Sequence, residues 1–202
     1  MNPADLAIWK RRGGNPITPH TGFDWQWTSA RGHNRHGRDP HVVRVGDHFL
    51  LAYTTMHKDG CPVVGGLISR DLQTFEDIGP ILYRKMPKDR WWPESVNIQP
   101  LDDWRWVMIP SMSPGLEYYI GDDPHEWHDI TPKVIHYADG PIDQPVAIEV
   151  LVKRGDRWLV SFFERNFNRL FIGELDLSAD PWRLTRLREQ SQVDSWLVEK
   201  NG

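Results

Sequence analysis

The sequence predicts an all-β fold, a β-propeller made of four-stranded antiparallel blades. Three observations carry that prediction. A unit of four short strands recurs three times, and its landmarks return at nearly constant spacing. No stretch of useful length keeps the i, i+3, i+4, i+7 apolar face of a helix. A sandwich also contains many short strands, but it does not predict repetition of whole four-strand units.

The first unit opens with His41-Val42-Val43-Arg44-Val45 and Phe49-Leu50-Leu51-Ala52-Tyr53. These β-branched and aromatic runs are joined by Gly46-Asp47, a hairpin signal. The unit continues as CPVVGGLISRDLQTFEDIGPIL. The second runs SVNIQPLDDWRWVMIPS, then LEYYIGDDPHEWHDITPKVI. The third runs IEVLVKRGDRWLVSFFERN, then RLFIGELDLSADPWRLTRLRE. In each, an Asp followed by an aromatic marks the opening of strand four: Phe75, Trp127 and Trp182, 52 and 55 residues apart. Phe49, Trp104 and Trp158 mark the second strands, 55 and 54 apart. The blades therefore cover about 38–82, 93–136 and 147–190 of one propeller-like domain spanning residues 1–202. Three blades are fewer than the roughly four to eight that close a ring. Residues 1–37 are candidates for part of another sheet, and 192–202 for one further strand.

The 202 residues suffice for one domain with a sizeable core. With 39% hydrophobic and 26% charged residues, the composition is that of a globular chain. A net charge of −4 gives no reason to expect a nucleic-acid partner. No segment is apolar enough to span a bilayer, so no membrane partner is expected. Nor does an apolar leader open the chain, which favours the cytoplasm. The single cysteine, Cys61, excludes an internal disulfide. Oligomeric state is not legible. Eleven tryptophans require either a large core or a stacking surface.

Asp39 stands at the entrance of a first strand, before Pro40. Its counterparts by spacing are Glu94 and Glu149, 55 and then again 55 residues on. From Asp39 to Phe49 and from Glu94 to Trp104 is 10 residues, whereas from Glu149 to Trp158 is 9, so Glu149 is the least secure in register. First strands line a propeller's axis, so the three acids are expected to converge at one mouth. Converging carboxyls suit glycosidic hydrolysis: one protonates the leaving oxygen while another activates water or attacks the anomeric carbon. Trp91 and Trp92, beside Glu94 and without repeat counterparts, are candidates for stacking on a sugar.

Asp39-Pro40, the hairpin Gly46-Asp47-His48-Phe49-Leu50-Leu51-Ala52-Tyr53-Thr54 and the box Ser69-Arg70-Asp71-Leu72-Gln73-Thr74-Phe75 resemble the blade pattern of the five-bladed β-propeller glycosidases, families 43 and 32. The resemblance covers about residues 37–190. It implies a glycosidase acting on an oligo- or polysaccharide. By likeness to family 43, Asp39 is the base, Glu94 the residue tuning its partner's pKa, and Glu149 the proton donor. By likeness to family 32, Arg38-Asp39-Pro40 holds a stabilising Asp and Glu94 is the acid/base. That family's upstream nucleophile motif and the Cys-Pro after its Glu have no match here. The alternative from another class is a non-catalytic propeller that binds carbohydrate or protein.

The stretch RGHNRHGRDPH gathers Arg31, His33, Arg35, His36, Arg38 and His41 around Asp39. Irregular spacing in a Gly-rich loop favours substrate hydroxyls or solvent over a metal, so neither metal nor cofactor is expected. His36 and Arg38 are taken as substrate-binding candidates, with Asn97 and Arg165 as further residues able to reach the channel. His125-Glu126-Trp127-His128 is not a zinc-helix motif and reads as a structural turn. Cys61, at a strand start with no assignable base, reads as a small core residue.

Overall fold

The computed structural model describes residues 22–28, 37–86, 93–111, 116–139, 145–164 and 169–198. The first sheet is β1 (Arg38–Val45), β2 (His48–Met56), β3 (Pro62–Ser69) and β4 (Glu76–Tyr83), in that spatial order. β5 (Glu94–Pro100), β6 (Trp106–Ser111), β7 (Glu117–Gly121) and the two-residue β8 (Lys133–Val134) form the second. The third contains β10 (Pro145–Arg154), β11 (Arg157–Glu164), β12 (Arg169–Asp176) and β13 (Arg183–Arg186). It also takes in β9 (His136–Tyr137), which pairs parallel with β13. The chain thus leaves the second sheet at Val134 and joins the third two residues later.

The hairpins form where glycine permits. Gly46 and Gly155, at φ 58° and 53°, occupy the first central position of two-residue turns pairing Val45 with His48 and Arg154 with Arg157. The second unit has no glycine there, and its turn is longer. Leu101 N–H donates to Arg105 O at 2.8 Å, and Asp102 Oδ1 accepts from the Arg105 N–H at 2.7 Å. This lengthening shifts the tryptophan landmark. Trp106, opposite Pro100, takes the register place of Phe49 (opposite Arg44) and Trp158 (opposite Lys153). Trp104 instead lies in the turn, 66% exposed, under the Arg105 guanidinium.

The sheets pack face to face in sequence order. Leu50, Ala52, Val64, Ile81 and Leu82 of the first meet Val96, Ile98, Met108 and Tyr119 of the second around Trp127. On the second sheet's other face, Val107, Ile109 and Tyr118 meet Ile148, Val160, Phe162 and Trp182 of the third. Tyr118 stacks on Trp182, ring centroids 3.9 Å apart and planes 9° apart. Trp127 and Trp182 therefore fill inter-sheet cores. Trp182 immediately precedes β13, but Trp127 sits in a loop well before β8, its indole N–H bonded to Pro124 O. Phe75 packs on the first sheet's outer face with Phe23 and Trp25, which residues 22–28 bring there through a Gln26–His57 bridge.

Residues 190–198, the latter part expected as a strand, form helix α1 (Gln190–Val198). Gln192 Oε1 accepts from the Arg188 and Glu189 N–H groups at its start. Trp196 is buried beneath the guanidinium groups of Arg154 and Arg157. Val193 and Trp196 are spaced three apart, too little periodicity to announce a helix. No helix among the described residues is long and apolar enough to cross a membrane.

Candidate functional site

β5 lies beside both β1 and β10, so the three innermost strands are neighbours. Each begins with the same irregularity. Between Arg38 and His41, Glu94 and Asn97, and Val146 and Glu149, two residues of the inner strand oppose one of its partner. Each bulge holds one non-glycine residue in the left-handed region: Asp39 at φ 52°, Ser95 at 45° and Ala147 at 54°. A side chain there costs about 1–2 kcal/mol, and such strain collects where a bulge re-aims a residue.

This register corrects the equivalence drawn from spacing. Asp39, Ser95 and Ala147 are the true counterparts. Glu94 matches Arg38, one residue before the bulge centre, and Glu149 matches His41 and Asn97, two residues after it. The acids belong to three consecutive blades but to three different bulge positions.

Side chains nevertheless connect them. Arg38 Nη2 donates to Glu94 Oε1 at 2.5 Å, and its Nε lies 3.4 Å from Asp39 Oδ2. The Ser95 backbone N–H donates to the same Asp39 oxygen at 3.3 Å. Asn97 Nδ2 donates to Glu149 Oε2 at 2.6 Å. His41 Nε2 lies 2.9 Å from Ile98 O. Positions at and around each bulge therefore reach across to the next sheet. Arg38, Asp39 and Glu94 keep 42%, 33% and 40% of their side chains exposed, and Glu149 is exposed. Asn97 is buried, and its Oδ1 is among the described buried atoms without a partner. It stands behind Glu149 rather than facing solvent. His36, Trp91, Trp92 and Arg165, like Arg31, His33 and Arg35, lie outside the described residues.

The fold compares with solved structures as follows. An exo-β-1,3-galactanase from Clostridium thermocellum superposes with a TM-score of 0.57 at 15% identity, over 76% of this chain and 38% of its own. An α-L-arabinanase from Penicillium chrysogenum gives 0.57 at 11%, over 81% and 49%. The fold is that of the β-propeller glycosidases. A β-1,2-mannobiose phosphorylase from Listeria innocua shares it as well, at TM-score 0.51 and 16% identity over 75% of this chain and 43% of its own. The chain spans 38–49% of the length of these three propellers. No protein-family model matches the sequence, and neither does any curated protein.

In the propeller glycosidase fold, the chemistry carried by the remaining sequence signals is modest. Cys61 is only half-buried, and burial and the nearby Asp59 carboxylate push its thiol up, away from the nucleophilic thiolate. His128 Nδ1 accepts from the Tyr83 N–H at 2.9 Å, and Trp127 fills the core, as a structural turn requires. His125 behaves differently. Its Nε2 lies 2.9 Å from that of His48, a pairing that spacing gave no reason to suspect because the two are 77 residues apart.

Proposed function

We propose that the chain carries part or all of a glycoside hydrolase site at the mouth formed by the bulged entrances of β1, β5 and β10. The observation that carries this reading is the set of three exposed or half-exposed carboxyls on adjoining inner strands, linked across the sheets by Arg38, Ser95 and Asn97. Carbohydrate is the substrate class. The glycosidase fold of the neighbours supports the reading, and fold alone leaves hydrolysis and phosphorolysis both open.

Within this reading each acid has a different task. Glu94 is charge-paired with Arg38, which suits it to orienting and electrostatic work rather than proton donation. Asp39, whose Oδ2 receives the Ser95 N–H, serves as the base that takes a proton from the attacking water. Glu149 serves as the acid that protonates the departing glycosidic oxygen. Asn97 engages Oε2, and Glu149's exposure lets a leaving group approach Oε1. The bond from the anomeric carbon to the leaving oxygen breaks as the bond to water oxygen forms.

A panel of aryl-glycosides and oligosaccharides, assayed with and without inorganic phosphate, tests this. Turnover without phosphate that collapses in Asp39→Asn and Glu149→Gln supports hydrolysis by these groups. Turnover only with phosphate points to phosphorolysis. If a folded sample turns over nothing on the panel, the non-catalytic binding propeller replaces this reading.

A further inference from the structure

Away from the mouth, at the β1–β2 turn, two histidines from different sheets meet head to head. His48 opens β2, and His125 lies in the connection between β7 and β8. Their Nε2 atoms are 2.9 Å apart, with ring centroids at 5.1 Å. Behind each ring stands a carboxylate. Asp47 Oδ1 is 3.2 Å from His48 Nδ1, and Asp123 Oδ1 is 2.7 Å from His125 Nδ1. Arg70 approaches Asp47 at 3.7 Å. The result is a four-membered chain, Asp47–His48–His125–Asp123, that ties the first sheet to the second.

Counting hydrogens exposes an imbalance. A carboxylate only accepts, and a neutral imidazole carries one N–H. Two neutral rings thus bring two hydrogens to three close contacts. If both Nδ1–H groups face their carboxylates, two Nε2 lone pairs confront each other with nothing between them. One further cation would satisfy all three contacts, with a carboxylate at each end of the chain to balance it.

We propose that His48 and His125 are paired ligands for a divalent, imidazole-seeking metal ion such as Zn²⁺, bound through their Nε2 atoms. A carboxylate on Nδ1 fixes the tautomer that leaves Nε2 free and makes it a better donor, the usual outer-shell arrangement around metal-bound histidine. Zinc–nitrogen bonds of about 2.0–2.1 Å place two ligands of a tetrahedral ion roughly 3.3 Å apart. The rings need separate by only a few tenths of an ångström. With 24% and 27% of their side chains exposed, they have room to do so. Among the described residues no group of three His, Cys, Asp or Glu side chains converges as a ready cage. Solvent therefore completes the shell, and the site clamps blades rather than performing chemistry. It is independent of the reaction proposed at the mouth.

The test is a titration of the chelator-treated full-length chain with ZnCl₂, followed by calorimetry and by thermal unfolding. One-to-one saturable binding is expected, with a rise in Tm. His48→Gln and His125→Gln should each weaken binding at least about 10-fold, and Asp123→Asn by about 10- to 100-fold. Unfolding curves without zinc show whether each variant is folded. Should one not be, ¹⁵N spectra of the wild-type imidazoles decide: zinc must shift the Nε2 resonances of two histidines while their Nδ1 atoms stay protonated. No saturable binding overturns the proposal and leaves a shared proton between the rings. Wild-type affinity in both Gln variants, or zinc shifts confined to other histidines, overturns it too.

Discussion

Asn97 is buried in the second sheet, yet its amide nitrogen holds the exposed Glu149 carboxylate of the third at 2.6 Å. A fixed donor behind a solvent-facing acid restrains its rotamer without covering its second oxygen. With Glu149 as the proposed general acid, Asn97→Ala is expected to lower kcat by about 10²-fold, toward the loss from Glu149→Gln, since positioned general acids contribute roughly 10²–10⁴. Steady-state kinetics on whichever glycoside the panel identifies checks the effect. An unchanged kcat would remove Asn97 from the site.

Arg38 and Glu94 separate activity from stability. Both are substantially exposed, so breaking the pair in Arg38→Ala should cost less than about 1 kcal/mol of folding stability. The same change removes the cation between Asp39 and Glu94, and turnover should fall by an order of magnitude or more. Urea unfolding and activity measured on one preparation give the comparison.

Backbone strain at the bulges predicts a gain. Ala147 occupies a left-handed position with only a methyl group to show for it. Ala147→Gly should stabilise the fold by about 0.5–1 kcal/mol, the relief of left-handed strain less the added chain entropy of glycine. Asp39→Gly relieves the same strain but removes the proposed base, so it should leave a stable, inactive protein. Thermal unfolding distinguishes this from ordinary loop substitutions, which leave stability nearly unchanged.

Trp127 is wholly buried at the junction of the first two sheets. Trp127→Ala should cost about 3–5 kcal/mol, as cavity-forming aromatic deletions do. Trp104→Ala, although it removes the same side chain from the same blade, should cost almost nothing. Denaturant midpoints for the two variants test which tryptophan belongs to the core.

The Ser-x-Asp-Leu box predicts an acid limb. The Thr74 and Gln73 backbone N–H groups hold the Asp71 carboxyl down at about 2. A carboxyl lower in the folded than in the unfolded chain binds fewer protons when folded. Its stabilisation is present above pH 4 and disappears as pH falls toward 2. Asp71→Asn should flatten unfolding stability over that window while lowering it near neutrality. Urea midpoints from pH 2 to 7 measure the difference.

The hairpins, the repeat and the order of the sheets were legible because they depend on local chemistry. Gly46-Asp47 and Gly155-Asp156 mark tight turns, and alternating β-branched residues mark the strands between them. The bulge register was not legible. Asp39, Ser95 and Ala147 share a backbone conformation rather than a side-chain type, so constant spacing pointed to Glu94 and Glu149 instead. Trp104 misled for a related reason. The longer turn at 101–105 displaced the landmark by two residues and left an equally plausible tryptophan at 106. Among the described side chains α1 is anchored by Trp196, and β9 is two residues long, so neither offers a periodic signal. The His48–His125 contact arises only when blades stack, since each histidine alone reads as a turn residue.

The passage of β9 onto the third sheet makes the two junctions unequal under load. Between the second and third sheets, a continuous backbone crosses the seam and is stitched on each side, by Ile135 N–H to Leu116 O and by His136 N–H to Trp182 O. Pulling those blades apart must peel main-chain bonds in succession. Among the described residues, the seam between the first two sheets has the Trp127 N–H bonded to Ile81 O, and otherwise depends on packed side chains and on contacts such as His48–His125. It is the natural parting line of the molecule. Forced unfolding from the two ends should shed the first blade before the other two yield.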